Sequence, residues 1–224
     1  MKREETKFYL GTILVLMSYY LIFNLVVRLE FMDQLSDFGF YGIQILLIII
    51  EGIAATVVLV KSQRWKEYGR FQFRWSYLGI FFLSFILMFL WVNITTRIFP
   101  STQNGSAIKE TVANLTGISY FVTRILYGSL IAPIVEELVF RGLLMTALSK
   151  FKKYYIDVTI SSTLFSLIHV LQYGLVLTDF IVYAGAGLLL CMLFRYTRSI
   201  YWSMALHILW NTFLIIVSLL VFGY

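Results

Sequence analysis

Residues 117–149 have the sequence GISYFVTRILYGSLIAPIVEELVFRGLLMTALS, in which apolar runs surround four charged side chains. A helix needs roughly 20 apolar residues to span a bilayer. The stretch is therefore long enough to cross a membrane and too long for one straight helix. We expect a tilted helix, a helix broken near Pro133, or two separate pieces.

The composition of the whole chain agrees with a membrane location. Of its 224 residues, 60% are hydrophobic and 13% are charged, whereas an ordinary soluble domain has about 25% charged residues. This excludes a soluble globular domain, a disordered chain and a fibrous repeat. It leaves an all-α, polytopic helical membrane protein with a single membrane domain, residues 1–224. One cysteine, Cys191, excludes an internal disulfide.

Apolar stretches bounded by charged residues predict seven spans, or eight if the fourth is two pieces. The chain has no evident cleavable signal peptide, so its first apolar run is expected to remain as the first helix. The predicted spans are residues 8–28, 40–60, 76–97, 117–149, 156–173, 177–195 and 199–222.

The positions of the basic residues predict the orientation of these spans. With a cytoplasmic N-terminus and seven alternations, 13 lysines and arginines fall inside and 3 fall outside, as the positive-inside rule requires. The C-terminus is then outside. The net charge of +6 indicates loops that face anionic lipid, and no nucleic-acid partner is expected.

Ionisable side chains inside predicted spans are costly to bury and usually functional. The strong polar group of Asn211 lies in the same part of the chain, and His169 and His207 are the only two histidines of the protein. The ionisable residues within the spans are Glu51, Arg124, Glu136, Glu137, Arg141, His169 and His207.

The spacing of the glutamates predicts separate roles for them. Glu137 and Arg141 are four residues apart, on one helical face, so they can pair. Glu136 points about 100° away from Glu137 around the helix axis, so it is not paired with Arg141 and stays free to exchange a proton. Taken alone, a Glu–Arg pair is more often a buried ion pair that only locks helices, and the second glutamate and the histidines make a functional role the better interpretation here. His207 and Asn211 also share a helical face. Such an asparagine can have a purely structural role, in which it forms a hydrogen bond to another helix.

Depth combines these groups into one candidate site. Counted from the cytoplasmic ends of their spans, Glu136, His169, His207 and Asn211 lie roughly 12 to 20 Å deep. The set suits amide hydrolysis. Glu136 with His169 can activate a water as general base, and His207 with Asn211 can donate to the developing oxyanion. A zinc site of Glu136, His169 and His207 is the alternative, although the H-E-x-x-H spacing is absent.

Three linked motifs resemble the CPBP (CAAX protease and bacteriocin-processing) family of intramembrane endopeptidases, related to the type II CAAX prenyl endopeptidases. They are E-E-x-x-x-R at 136–141, F-x-x-x-H at 165–169 and H-x-x-x-N at 207–211. The resemblance covers residues 117–213 and leaves the spans within 1–116 generic. It implies a membrane-embedded, glutamate-type endopeptidase without a cofactor. The small size of the chain favours a bacterial member of the family. The implied catalytic residues are Glu136, His169, His207 and Asn211, and the implied supporting residues are Glu137, Arg141 and Phe165.

Two functions from different classes remain compatible with these residues. The first is an endopeptidase acting on a membrane-associated peptide or protein within the lipid bilayer. The second is a membrane regulator or bacteriocin-immunity protein that binds a membrane protein partner without proteolysis. A small-molecule transporter would also bury charges at mid-membrane, but the chain shows no inverted repeat.

Overall fold

The computed structural model of the chain describes residues 2–99, 106, 115 and 117–222, and every regular element in this part is helical. Short helical turns at Val26–Arg28, Glu30–Asp33, Trp65–Tyr68 and Ser149–Tyr154 connect the long helices. The long helices are α1 (Lys2–Asn24), α2 (Asp37–Lys61), α3 (Trp75–Ile98), α4 (Gly117–Met145), α5 (Ile156–Tyr173), α6 (Leu177–Thr197) and α7 (Ile200–Phe222).

The helices confirm a polytopic helical membrane protein. Within the described residues, five helices (α2, α3, α4, α6 and α7) are long and apolar enough to cross a membrane. The apolar part of α5, Ile156–Leu171, is shorter. Helix α1 also begins earlier than the predicted span and ends at Asn24 rather than at residue 28. Its first turns carry charged side chains, and Glu4 and Lys7 form an exposed ion pair at 2.7 Å.

Helix α4 is one continuous helix of 29 residues, so it is neither broken near Pro133 nor divided into two pieces. Its backbone has wide π-type turns over Phe121–Ile131 and Leu138–Met145, on either side of a regular α-helical segment, Ala132–Glu137. Pro133 has no N–H and cannot continue the regular hydrogen-bond ladder. The wide turn before it accommodates the proline without a break.

The helices pack closely where glycines face their neighbours. A Cβ atom at Gly142 of α4 would lie 2.9 Å from Leu59 Cδ1 of α2. A Cβ atom at Gly187 of α6 would lie 3.1 Å from Phe165 Cδ1 and 3.3 Å from the Cα of Ser162, both on α5. Small residues at these crossings let the backbones approach, and this brings the polar side chains of four helices together.

Several basic segments of the chain lie at one end of the helix bundle. The Arg64 guanidinium lies 5.3 Å from the ring centre of Phe8, and the Lys150 ammonium lies 5.4 Å from that of Tyr9. These contacts join the start of α1 to the segments after α2 and α4. Arg195 near the end of α6 donates to the carbonyl of Lys152 at 2.9 Å. The start of α1 and three connecting segments therefore lie at one end of the bundle.

Candidate active site

The most deeply buried part of the site is an ion pair between Glu137 and Arg141. Glu137 Oε1 and Arg141 Nη1 on α4 are 3.0 Å apart, and neither side chain has exposed surface. The other guanidinium arm donates to the carbonyl of Gly187 at 3.0 Å. The guanidinium carbon also lies 4.7 Å from the ring centre of Phe165. One arginine thus connects α4 to α5 and α6, which makes it the link between three helices.

His207 connects this ion pair to the second glutamate. Its Nδ1 lies 3.0 Å from Glu137 Oε1, and its Nε2 lies 3.6 Å from Glu136 Oε2. The Glu137 carboxylate beside Arg141 acts as an acceptor, so Nδ1 of His207 carries the hydrogen. The imidazole of α7 is therefore fixed at one nitrogen and presents the other nitrogen to Glu136.

His169 is the second histidine beside Glu136. Its Nε2 lies 4.0 Å from Glu136 Oε1, and its Nδ1 lies 2.8 Å from the carbonyl oxygen of Phe165. A carbonyl can only accept, so Nδ1 donates and Nε2 faces the glutamate. Tyr183 of α6 stacks on the His169 ring with centroids 4.3 Å apart. Glu136, 6% exposed, thus lies between two imidazole Nε2 atoms.

Asn211 is placed apart from the two glutamates. Its Nδ2 donates at 2.9 Å to the carbonyl oxygen of Gly128, which lies eight positions before Glu136. The N–H of Ala132 bonds to the carbonyl of Tyr127 in the wide-turn register. The next carbonyl in that register, Gly128, would need the N–H that Pro133 lacks. The asparagine side chain supplies this missing donor, and a second hydrogen remains on Nδ2 for another acceptor.

Sequence reasoning missed two tyrosines that pack against Phe140 and His169 from outside the three motifs. Tyr19 of α1 is 1% exposed, and its ring meets the ring of Phe140 edge-on, with centroids 5.8 Å apart. Glu51 of α2, whose role the sequence left open, accepts a hydrogen bond from Ser18. Tyr183 supports the His169 ring. Hydroxyl-bearing residues in apolar runs were the available signal, but apolar runs of this chain contain many tyrosines, and the signal does not say which ones face inward.

The site also bears on the zinc alternative. Within the described residues, no group of three histidine, cysteine, aspartate or glutamate side chains has an arrangement that could hold a metal ion. The two nitrogens approach different oxygens of Glu136, at 3.6 and 4.0 Å. Both distances exceed the separation of about 3.3 Å expected between two tetrahedral zinc ligands that each lie 2.0–2.1 Å from the metal. We therefore derive no step through a metal.

Residues 118–213 match the family described as type II CAAX prenyl endopeptidase Rce1-like. The match covers less than half of the chain. The matched segment contains the two glutamates, Arg141, Phe165, both histidines and Asn211. The family match and the geometry thus concern the same side chains, and α1 and α2 lie outside the match.

Three bacterial proteins are similar to the chain. It is 27% identical over 233 residues to the membrane-embedded CAAX protease MroQ of Staphylococcus aureus, covering 94% of this chain and 88% of MroQ. It is 31% identical over 145 residues to the UPF0177 protein YvdC of Lactococcus lactis, covering 61% of this chain and 51% of YvdC. Over 115 residues it is 28% identical to YdiL of Bacillus subtilis, covering 51% of this chain and 45% of YdiL. The chain therefore spans about half the length of YvdC and YdiL. No solved structure matches it at a significant level.

Proposed function

We propose that the chain is an intramembrane endopeptidase of bacterial membranes that hydrolyses a peptide bond in a membrane-associated protein or peptide. The observation that carries the proposal is the position of Glu136 between the Nε2 atoms of His207 and His169, at 3.6 and 4.0 Å. The match of residues 118–213 to the Rce1-like CAAX endopeptidase family supports the reaction class.

The hydrogen bonds of the two histidines favour a water molecule beside Glu136. Both Nδ1 atoms donate, to Phe165 and to Glu137, so a neutral His169 ring presents an Nε2 lone pair to Glu136. A lone pair and a carboxylate oxygen are both acceptors, and a donor must lie between them. Atoms 4.0 Å apart can both lie about 2.8 Å from one water oxygen, so a water can donate to His169 and Glu136 together.

The proposed reaction starts from this water. Glu136 takes one proton as general base while the water oxygen attacks the carbonyl carbon of the scissile bond. The tetrahedral intermediate carries its negative charge on the former carbonyl oxygen. Glu136 then returns the proton to the leaving amine, the C–N bond breaks, and the products are a carboxylic acid and an amine. No covalent enzyme intermediate is needed.

The charges around His207 suit the stabilisation of an oxyanion. If His207 carries both ring protons, it and Arg141 balance the two carboxylates of Glu136 and Glu137, and Nε2–H becomes a donor. A donor held in a water-poor site before reaction stabilises the developing charge strongly. The unused amide hydrogen of Asn211, one turn along α7 from His207, is the proposed second donor. Both contributions are to the transition state.

Comparative proteomics of membrane and secreted peptides tests the function in cells. Cells with wild-type protein are compared with cells that carry Glu136→Gln, a substitution that keeps the shape and removes the base. We expect a defined set of new C-termini in the wild type and their absence in the variant. Tyr20→Phe, at a lipid-exposed position on α1, is the control and should retain the wild-type set.

The same experiment distinguishes catalysis from binding. A regulator or immunity protein that acts on a membrane partner would keep its cellular phenotype in Glu136→Gln, and no new C-termini would depend on Glu136. That result would contradict the proposal. Metal analysis of active purified protein adds a second comparison. Stoichiometric zinc whose removal abolishes cleavage, and whose return restores it, would replace the water mechanism while leaving endopeptidase activity intact.

A further inference from the structure

Two aromatic rings contact the imidazole of His169. The ring of Phe165, one turn earlier on α5, has its centroid 4.6 Å from that of His169, and the two planes are tilted by 45°. The ring of Tyr183 on α6 has its centroid 4.3 Å away with the planes at 24°, which is a stacked arrangement. Phe165 belongs to the same helix as the histidine. Tyr183 therefore connects the imidazole to a second helix.

The hydrogen bond of His169 fixes only part of the ring's orientation. Its Nδ1 donates to the Phe165 carbonyl at 2.8 Å, while its Nε2 lies 4.0 Å from Glu136 Oε1, too far for a direct hydrogen bond. The His169 side chain is 21% exposed, compared with 6% for that of His207. A hydrogen bond at one nitrogen leaves a ring able to tilt about that nitrogen. Stacking on the flat ring of Tyr183 opposes this tilt, because offset-stacked rings keep their planes close to parallel.

Helix α6 packs against both α3 and α5, and Trp91 of α3 sets its rotation. The indole Nε1 donates to the carbonyl of Ile181 at 3.1 Å. A Cβ atom at Gly185 would overlap the same indole ring, so Trp91 lies directly against the α6 backbone. Ile181 and Gly185 are four residues apart and share a face, whereas Tyr183 points about 160° away from each of them. The indole and the imidazole of His169 therefore lie on opposite sides of α6.

We propose that Tyr183 is a positioning residue for His169, an inference that rests on the proposed function. Its ring holds the imidazole so that Nε2 points at the space beside Glu136, where the two groups share the proposed water. Trp91 keeps α6 in the rotation from which Tyr183 reaches the imidazole, and α3 lies outside the matched residues 118–213. The tyrosine acts through His169 and takes part in no chemical step itself.

Kinetics of two substitutions at position 183 test the proposal. Tyr183→Phe keeps the stacked ring, so its kcat should equal that of the wild type. Tyr183→Leu removes the ring. Because a displacement of about 1 Å can lower a rate about a hundredfold, we expect kcat to fall about tenfold to a hundredfold, with little change in KM. Tyr196→Leu, at an exposed position of the same helix, is the matched control and should leave both constants unchanged.

Nuclear magnetic resonance measures the ring contact without depending on activity. The chain has two histidines, so protein labelled with ¹³C-histidine gives two Cε1–H signals, and His169→Gln assigns them. The ring currents of Phe165 and Tyr183 displace the His169 signal from that of a free histidine. We expect the signal to stay in place in Tyr183→Phe and to move towards the free position in Tyr183→Leu. The His207 signal is the internal control and should move less.

Two results would overturn the role of Tyr183. One is a normal kcat, or an unmoved His169 signal, in folded Tyr183→Leu. The other is an equal loss of kcat in Tyr183→Phe and Tyr183→Leu, which would assign the effect to the hydroxyl rather than to the stacked ring. Thermal unfolding in detergent accompanies each variant. If Tyr183→Leu does not fold, Tyr183→Met replaces it with the same expectations, because its flexible side chain fills the space without a flat ring.

The outcomes also separate this inference from the function on which it rests. Wild-type cleavage that Glu136→Gln abolishes, together with a normal kcat in Tyr183→Leu, would overturn the positioning role and leave the endopeptidase standing. Absence of cleavage by folded wild-type protein would overturn the endopeptidase and, with it, the catalytic purpose of the stacking. The histidine signals would still show whether Tyr183 holds the His169 ring.

Discussion

At the scale of single residues, Arg141 is the side chain on which the most contacts of the site depend. It pairs with Glu137, donates to the carbonyl of Gly187 and lies over the ring of Phe165. Arg141→Ala leaves a buried carboxylate without its cation. Breaking a buried ion pair typically costs about 3–5 kcal/mol, so we expect the free energy of unfolding to fall by this amount and cleavage to be lost, as measured by unfolding in detergent.

Two further variants interpret that result. Arg141→Lys keeps a positive charge near Glu137 but cannot reproduce the fork that also reaches Gly187, so its stability should lie between those of Arg141→Ala and the wild type. Lys7→Ala removes an exposed ion pair with Glu4 and should melt like the wild type. If Arg141→Ala extracts and unfolds like the wild type, the pair is not structural, and a contact with substrate is the better explanation.

Asn211 has one observed contact and one proposed catalytic role, and one experiment can separate them. It donates to the carbonyl of Gly128 beside Pro133, and it is the proposed second oxyanion donor. Asn211→Ala should lower the melting temperature, and loss of an oxyanion donor should lower kcat by about 10²–10³ with little change in KM. Adding Pro133→Ala returns a backbone N–H for Gly128. The double variant should regain stability while kcat stays low.

Either of two results would contradict that account. Near-normal kcat per folded Asn211→Ala molecule would show that the asparagine has no catalytic role and only stabilises the contact between α7 and α4. No recovery of stability on adding Pro133→Ala would show that the proline is not the reason for the contact with Gly128. Asn211→Asp is a third comparison, and it should be at least as inactive as Asn211→Ala if its carboxylate ionises.

Sequence reasoning could predict the grouping of Glu136, Glu137 and Arg141, because their spacing within one helix fixes which side chains share a face. It could also select both histidines, since ionisable groups in apolar spans are rare. It could not predict that His207 links the two glutamates, nor that Tyr19 of α1 packs against Phe140 of α4. Those contacts depend on the rotation of α7 and α1 about their own axes, and the apolar pattern of a helix buried in lipid does not specify that rotation.

At the scale of helices, the positions of charged residues predicted most helix ends within a few residues. A charged side chain ends an apolar run near the edge of the bilayer. The span 156–173 coincides with α5, Ile156–Tyr173. Helix α1 ends early because a 3₁₀ turn at Val26–Arg28 follows Asn24, and the apolar residues after Asn24 hide this change of direction. The continuity of α4 was open from sequence, since Pro133 can break a helix or be absorbed by a wide turn.

The crossing of α5 and α6 carries a prediction at this scale. Gly187→Ala places a Cβ atom 3.1 Å from Phe165 Cδ1 and 3.3 Å from the Ser162 backbone. The helices must separate, which moves the Gly187 carbonyl away from Arg141. Overpacking typically costs about 1–3 kcal/mol, so we expect a lower melting temperature and reduced kcat.

Gly79→Ala is the matched control for this crossing. A Cβ atom there meets nothing within 4 Å, and the exchange should leave both stability and kcat unchanged or slightly raise stability, because alanine favours helix. Wild-type melting and turnover in Gly187→Ala would mean that α5 and α6 do not pack closely at this point.

At the scale of the whole molecule, the contacts among basic segments and the charge count predict the same topology. A reporter placed in the segment 61–75 should report a cytoplasmic location, and one fused after Tyr224 should report an outside location. The physical reason is the excess of lysine and arginine on one face of the bundle. A cytoplasmic reporter signal after Tyr224 would show that the number of membrane crossings is even, and that α1 or α5 does not cross.

The central claim is that Glu136 activates a water that hydrolyses a peptide bond. The direct measurement uses purified protein in proteoliposomes with membrane proteins of the host, incubated in ¹⁸O-labelled water, followed by mass spectrometry of new C-termini. We predict new C-terminal carboxylates that carry one ¹⁸O with the wild type, and none with Glu136→Gln. New C-termini that are equally abundant with both proteins, or none with folded wild-type protein, would contradict the claim.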